Sequence, residues 1–389
     1  MERIAFEERP DWRDDAERCG FAFHTMNGEP YWDESHAYQF SLAEIEERIE
    51  DPTQELLTLC YRAVDRILDD DALMERMAIP SAFRKAARDS WNRKDYDLYG
   101  RFDFAYDGQS PAKLLEFNAD TPTSLFESSV FQWRWLEAMK EASHLPEDAD
   151  QFNSIHEKLV EALPFIAGPD KRMHFAAVLD SIEDRGTVEY LADCAVQAGV
   201  EVSLIDMADI GVDEEGWFTD TNDYRIETLF KLYPLEDMVR EEFGEHLLYT
   251  PTRIIEPLWK LVLSNKGLMP VLWEMFPGHP NLLPAYFEES PASASLGERY
   301  VRKPLLSREG ANVAIIDPTM PGGRLEVEGT YGEEGFIRQQ LHMLPKFGSD
   351  WTVIGSWIIA GRSAGIGIRE DTTPVTRNTS RFLPHFIVD

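Results

Sequence analysis

Polar side chains recur at every second position in Arg101-Phe102-Asp103-Phe104 and again, beyond an Asp107-Gly108 turn, in Leu114-Leu115-Glu116-Phe117-Asn118-Ala119-Asp120. Successive side chains of a strand point to opposite faces, so Arg101 and Asp103 share one face while Phe102 and Phe104 take the other. Glu116 and Asn118 oppose Leu115 and Phe117 in the same way. If the two strands pair as a hairpin with the phenylalanines inward, Arg101, Asp103, Glu116 and Asn118 converge on one polar surface. Carboxylate and amide oxygens are the hard ligands that magnesium selects, and magnesium leaves coordination positions open for phosphate oxygens. Alternation of this kind also describes a hairpin with one solvated face. The chemical reading therefore needs phosphate-binding groups elsewhere in the chain.

Two lysines are placed to supply them, in Ser264-Asn265-Lys266 and in Val301-Arg302-Lys303-Pro304. The second is followed at once by Leu305-Leu306-Ser307-Arg308-Glu309-Gly310-Ala311-Asn312. A strand lysine ahead of a loop with small residues suits a triphosphate, because loop amides approach the phosphates while the ammonium neutralises them. Neither a Walker A spacing nor a GxGxxG fingerprint is present, and a lysine beside a loop glycine is by itself an ordinary surface feature.

In order and spacing these segments resemble the glutathionylspermidine synthase family, in particular the stand-alone bacterial proteins that match its synthetase domain. The resemblance spans almost the whole chain. It is carried by Tyr31-Trp32-Asp33-Glu34, Arg101 to Phe104, Glu116 to Asp120, Phe230-Lys231-Leu232-Tyr233-Pro234, Ser264 to Lys266, Leu272-Trp273, Lys303-Pro304, Gln339-Gln340-Leu341 and Ile368-Arg369. It implies an α+β ATP-grasp fold with an inserted small α/β, pre-ATP-grasp-like subdomain and N-terminal helices, ATP lying between two α+β subdomains. The cofactors implied are ATP and Mg2+. Asp103, Glu116 and Asn118 then resemble the family's magnesium ligands, and Arg101 the arginine that steadies the transferring phosphoryl group. Arg308 and Arg369 resemble the arginines facing the substrate acid and the reaction centre. Lys266 and Lys303 resemble the ATP-phosphate lysines, Gln339, Gln340 and Leu341 the hinge strand along the adenine, and Ser307 to Asn312, with Gly310, the loop that closes over the γ-phosphate.

Where the family continues Ser-Ala-Ser-Cys, this chain reads Thr121-Pro122-Thr123-Ser124, which keeps hydroxyls and loses the thiol. Ile182-Glu183-Asp184 is similar to the family's Ile-Glu-Glu, whose acids line a polyamine site. The resemblance thus implies an ATP-dependent carboxylate–amine ligase that forms an amide through an acyl phosphate. Its acid is expected to be peptide-like but not glutathione, facing Thr121, Thr123 and Ser124; its amine is expected to be polyamine-like, facing Glu183 and Asp184. The amidase domain of bifunctional members has no counterpart here, so amidase activity is not expected. A non-catalytic ATP-grasp relative that binds nucleotide or polyamine is the alternative, and the joint presence of Asp103, Glu116, Asn118, Lys266 and Lys303 favours the enzyme.

Positioning these residues requires mixed helix and strand. Apolar residues at helical spacing predict a helix over 51–73, opened by Asp51-Pro52, and a second from Ser81 through Arg88. Strands are expected over 174–179 and 200–205 around a helix at 187–198, a small parallel α/β layer. Past Pro257 a short helix-like run leads to strands at 300–304, 336–343 and 351–359, and Gly361 to Gly365 reads as a glycine-bounded turn into 366–369. The domain division expected is a mainly helical segment over 1–100, a first part of the core with the hairpin over 101–165, the α/β layer over 166–250 and the ATP-binding subdomains over 251–389.

With 71 acidic against 38 basic residues the formal charge is -33, which argues against nucleic acid as a partner and for small cationic ligands. Cys19, Cys60 and Cys194 lack metal or redox spacing, no signal-like start is present, and no apolar run is long enough to span a bilayer. Cytoplasmic localisation is expected, with small-molecule acid and amine as partners, no membrane, and a homodimer allowed. His24 and His36, Trp133 and Trp135, and Ser128-Ser129 read as structural, without the partners that metal or nucleophile chemistry demands.

Overall fold

The computed structural model describes residues 1–26 and 28–388. The amphipathic stretch near residue 51 is helical from further upstream than its proline suggests. Ser41 accepts a hydrogen bond from Glu44 N at 3.2 Å and caps Leu42–Ile45, and the helical run continues through Glu46–Glu50 into α1 (Asp51–Leu68). Pro52 is therefore interior to the run, just after a widened π turn at 46–50 that spares the bond its missing N–H cannot make. The expected extension to residue 73 fails because Asp70 starts a new helix, its side chain capping Leu73 N at 3.1 Å. α2 (Ser81–Arg93) follows and ends at Lys94, which takes the left-handed conformation.

The hairpin forms as the alternation requires. β1 (Tyr99–Ala105) and β2 (Lys113–Asn118) are antiparallel, with Arg101 opposite Asn118, Phe102 opposite Phe117 and Asp103 opposite Glu116. Phe102 and Phe104 are fully buried, and the Phe102 and Phe117 rings lie 4.3 Å apart between centroids. Asp107 Oδ1 closes the turn by accepting from Gln109 N and Ser110 N, with Gly108 at φ 82°.

After α3 (Gln132–Glu141) and α4 (Ile155–Ala167) comes the parallel layer: β3 (Arg172–Ala177), α4's neighbour α5 (Ile182–Gln197), β4 (Glu201–Asp206), β5 (Thr228–Leu232) and β6 (Arg253–Ile255), in spatial order β6-β5-β3-β4. The α/β expectation holds, with one shift that matters. α5 begins at Ile182, Ser181 capping Asp184 N at 3.3 Å, so Glu183 and Asp184 sit in its first turn rather than in a loop.

The C-terminal third supplies two antiparallel sheets. β7 (Ala285–Phe287), β8 (Tyr300–Pro304), β9 (Ala314–Ile316), β10 (Arg324–Glu326) and β11 (Phe336–Gln340) order as β7-β11-β8-β9-β10. β12 (Asp350–Ile359), β13 (Arg362–Asp371) and β14 (Arg381–Leu383) join the hairpin in the order β14-β13-β12-β1-β2, and the two-residue strand Lys346–Phe347 pairs with β12. The β12–β13 turn is tighter than the glycine pattern suggests. Ala360 and Gly361, both at positive φ, make it, and residues 362–365 are already strand. The N-terminal segment is not only helical: His36–Phe40 pairs with Glu2–Ala5 and with His385–Ile387. Trp135 is fully buried, as its reading as a packing residue requires, whereas Trp133, read the same way, is exposed. Among the described residues no helix is long and apolar enough to cross a membrane.

Candidate active site

The polar face of the hairpin is ordered by its own charges. Arg101, 8% exposed, donates to both oxygens of Asp103, from Nε at 2.7 Å and Nη2 at 3.1 Å, and reaches Thr123 O through Nη1 at 2.6 Å. Asn118 Nδ2 donates to Asp103 Oδ2 at 3.1 Å. Glu116 faces Lys266, whose Nζ lies 3.2 Å from Oε2 and 2.8 Å from Ser307 O. Burial works against the charge on Glu116, but Lys266 and Lys303 override it and hold the carboxyl down to about 2. Lys303 enters from β8 and donates to Leu115 O at 2.8 Å. Burial pushes its ammonium down to about 8, against the pull of Glu116 and with the repulsion of Lys266.

Two adjoining cavities meet on this face. One is lined by Asp103, Glu116, Lys303, Val301, Val313 and Ile315, with Leu341 to Leu344 and Val375 completing its apolar walls. The other holds Arg101, Asp103, Glu116, Asn118, Thr121 to Thr123, Glu236, Ser307 to Gly310 and Arg369. A cleft with one apolar compartment and one densely charged compartment, sharing two carboxylates, can seat a flat ring in the first and phosphates in the second. Asp103 and Glu116 offer hard oxygens directly opposite each other, Glu116 is held ionised, and Asn118 adds an amide. Two carboxylates and one amide leave coordination positions to fill, so the set suits a cation that draws its remaining ligands from phosphate, as magnesium does.

The structure brings Thr121 and Thr123 to the chamber and Ser124 to a deeper recess that also contains Arg101, Arg369 and Ser128. Ser124 is buried at φ 69°. Arg308 donates to Thr121 Oγ1 at 2.5 Å and to Glu236 Oε1 at 3.0 Å. Gly310 needs its φ of 72° and its lack of a side chain, since a Cβ would fall 2.7 Å from Thr376 O. Asn312 is turned away from the cleft: it also has positive φ, and its side chain binds Gly329 O and Tyr331 N, holding the far side of the loop. Gln339 is directed at Leu114 O and Gln340 is exposed, so neither side chain lines the apolar compartment; Leu341 and the three residues after it do. Glu183 and Asp184 lie outside both compartments, within electrostatic reach of Arg369 and of Arg308 respectively.

Several members are given no role by the motifs. Glu236 pairs with Arg308, and its second oxygen is buried without a partner. Asp120 forms a buried ion pair with Lys231, and its other oxygen accepts from Leu235 N at 2.7 Å, tying the end of β2 to the end of β5. A lysine inside the wholly buried strand β5 is the signal that could have found this pair, because an ammonium there requires a carboxylate. Thr376 and Arg377 line the chamber from a loop without a distinctive pattern.

The antiparallel sheets enclosing a cleft, one lysine on β8 and another in the turn ahead of the helix Leu268–Met275, and the parallel layer beside them define an α+β ATP-grasp protein. The chain superposes on a glutathione synthetase-like effector from Globodera pallida with a TM-score of 0.60 at 11% identity, over 98% of each chain, a likeness of fold. Residues 3–388 match the model described as glutathionylspermidine synthase preATP-grasp, and the chain belongs to that family. It is 42% identical to a Haemophilus influenzae protein named "Putative acid--amine ligase", over the whole length of both. It is 30% identical to trypanothione synthetase of Crithidia fasciculata, across 82% of this chain and 52% of that one. Against the bifunctional glutathionylspermidine synthetase/amidase of Escherichia coli the identity is 25%, across 97% of this chain and 63% of the relative.

Proposed function

We propose that this protein is an ATP-dependent ligase that joins a peptide-like carboxylic acid to a polyamine-like amine through an acyl phosphate, releasing ADP and phosphate. The observation that carries the reading is the meeting of Asp103, Glu116, Lys266 and Lys303 with Arg101, Arg308 and Arg369 around one two-part cleft.

A carboxylate resists attack by an amine because its leaving group would be oxide; phosphorylation makes that oxygen leave readily. Asp103, Glu116 and the Asn118 amide would hold magnesium, which when bound offsets the negative charge of the phosphates. Lys266 and Lys303 serve the phosphates. Leu341 to Leu344 and Val313 pack the base. Arg101, fixed by Asp103 and by Thr123 O, is aimed where charge grows on the transferred oxygens. Arg308 and Arg369 take the acid, with Thr121, Thr123 and Ser124 as hydroxyl contacts, and Glu183 and Asp184 attract the amine. Gly310 lets the 307–312 segment seat against 375–376, which excludes water from the acyl phosphate.

A screen of paired acids and amines for ADP release and amide formation tests the reading. Asp103→Asn and Glu116→Gln are expected to abolish turnover with the fold intact. ATP binding without ADP release for every pair would instead favour a nucleotide- or polyamine-binding relative, and unchanged turnover in both variants would refute the metal assignment.

A further inference from the structure

Behind the acid chamber, Ser124, Arg369 and Glu183 meet two buried polar side chains, Glu127 and Tyr31, that the chemistry above does not use. Glu127, in the helical turn Glu127–Phe131, is 1% exposed. Its Oε1 accepts from the Tyr31 phenol at 2.6 Å, and since the phenol has one proton, Ser124 Oγ at 2.9 Å donates to it. Tyr31 is equally buried, and its ring centre lies 5.9 Å from Cζ of Arg369. Arg369 spends Nη2 on the carbonyls of Arg377, Asn378 and Ser380, at 2.8, 3.0 and 3.2 Å, while its Nε is buried without a partner. Glu183, from the first turn of α5, brings a buried Oε1 that is also without a partner. Carboxyl groups enclosed like this persist where a partner or a task offsets their desolvation.

The charges around the pair are unbalanced. Glu183 is faced by Glu127, Asp184, Glu309 and Tyr31, with Arg369 as the opposing cation; Glu127, itself raised by burial, is faced by Tyr31, Glu183, Arg369 and Arg101. Burial, and after it Glu127, pushes the Glu183 carboxyl up to about 7. An incoming ammonium would supply the missing cation, and it must lose a proton before it can attack an acyl carbon.

We propose that Glu127 is a positioning residue for the amine step: through Tyr31 it fixes Ser124 and the ring beside Arg369, and its charge makes Glu183 the acceptor of the ammonium proton. The role presupposes the ligase reading. The ammonium R–NH3+ gives one proton to the Glu183 carboxylate. The freed lone pair forms the C–N bond, the C–O bond to phosphate breaks with its electron pair leaving on phosphate, and the departing phosphate takes the second N–H proton.

Glu127→Gln keeps an oxygen for the Tyr31 hydrogen bond and removes the charge. In protein with 13C-labelled glutamate carboxyls, and with the Glu183 signal assigned by its loss in Glu183→Gln, the titration is followed without substrates. The Glu183 midpoint is expected near neutrality in the wild type and lower by about one pH unit in Glu127→Gln. In turnover, the acidic limb of kcat/KM for the amine is expected to move to lower pH and kcat to fall, while ATP affinity by calorimetry stays constant. If Glu127→Gln melts before assay, Tyr31→Phe carries the comparison, with kcat for amide formation expected to fall and ATP affinity to hold. An unchanged Glu183 midpoint, or an unmoved acidic limb in a variant that still makes product, overturns the role and leaves the ligase reading standing. A wild type that makes no amide from any pair overturns the ligase reading and the role with it.

Discussion

Lys303 is the residue on which nucleotide binding should depend most visibly on pH. It is buried beside a second lysine, so its ammonium gives up its proton near pH 8 rather than in the usual lysine range. Triphosphate favours the protonated form. ATP affinity is therefore expected to be constant below about pH 7.5 and to fall above pH 8, approaching about tenfold per pH unit. Lys303→Met should weaken binding at pH 7 and flatten the profile, and calorimetry across pH 6.5 to 9.5 checks both. A wild-type affinity that does not change through pH 9.5 would separate Lys303 from the phosphates. Glu116 behaves oppositely: with its carboxyl held near 2, it stays ionised through the working range and a cation does not compete with protons for it.

At the scale of elements, β12 decides whether Arg101 can sit where it does. Gly355 stands opposite Asp103 in the sheet, and a Cβ there would fall 2.6 Å from Cδ and 3.0 Å from Nε of Arg101. Gly355→Ala is expected to displace the guanidinium, lowering kcat on the order of 100-fold with ATP affinity and melting temperature nearly unchanged. Full turnover would mean that Arg101 does not act on the reacting groups. Gly310→Ala makes a parallel case in the loop, where a Cβ meets the Thr376 carbonyl and the positive φ penalises any side chain. Single-turnover amide formation should slow more than ATP binding weakens, and equal losses would contradict the closing role. These elements differ in how far sequence alone exposes them. The alternation in β1 and β2 is a two-residue period set by the pleat, so its polar face is readable without a structure. Arg101, Asp103, Glu116 and Asn118 come together for that reason. Gly355 has no such period, and its importance arises only from a strand about 250 positions away in sequence that pairs with β1. The Glu127–Tyr31 pair is hidden for the same cause: Tyr31 stands in a segment that marks the family and Glu127 in none, and only the fold sets one against the other beside Arg369. Of Gln339, Gln340 and Leu341 only Leu341 lines the cleft with its neighbours, because the strand, expected to run to residue 343, ends at Gln340.

On the scale of the whole molecule, the site exists only where separate bodies are tied together. Lys303 reaches from the five-stranded sheet to Leu115 O on the hairpin, Asp120 binds Lys231 of the parallel layer, and Arg308 bridges the 307–312 segment to Glu236. Around this cleft the chain carries a formal charge of -33, which draws in cations and repels anions at distances where no single contact acts. In the proposed reaction ATP is bound by local lysines against that field, whereas a polyamine-like amine is bound with it. Salt screens the long-range part first, the Debye length falling to about 10 Å near 0.1 M. Raising salt from about 20 to 300 mM is therefore expected to lower kcat/KM for the amine several-fold, with kcat nearly constant, while kcat/KM for ATP stays level or rises. Steady-state kinetics with each substrate varied in turn distinguishes these directions. A parallel decline for both would mean that contacts inside the cleft govern capture of the amine, and an amine kcat/KM that ignores salt would exclude a cationic amine as the acceptor.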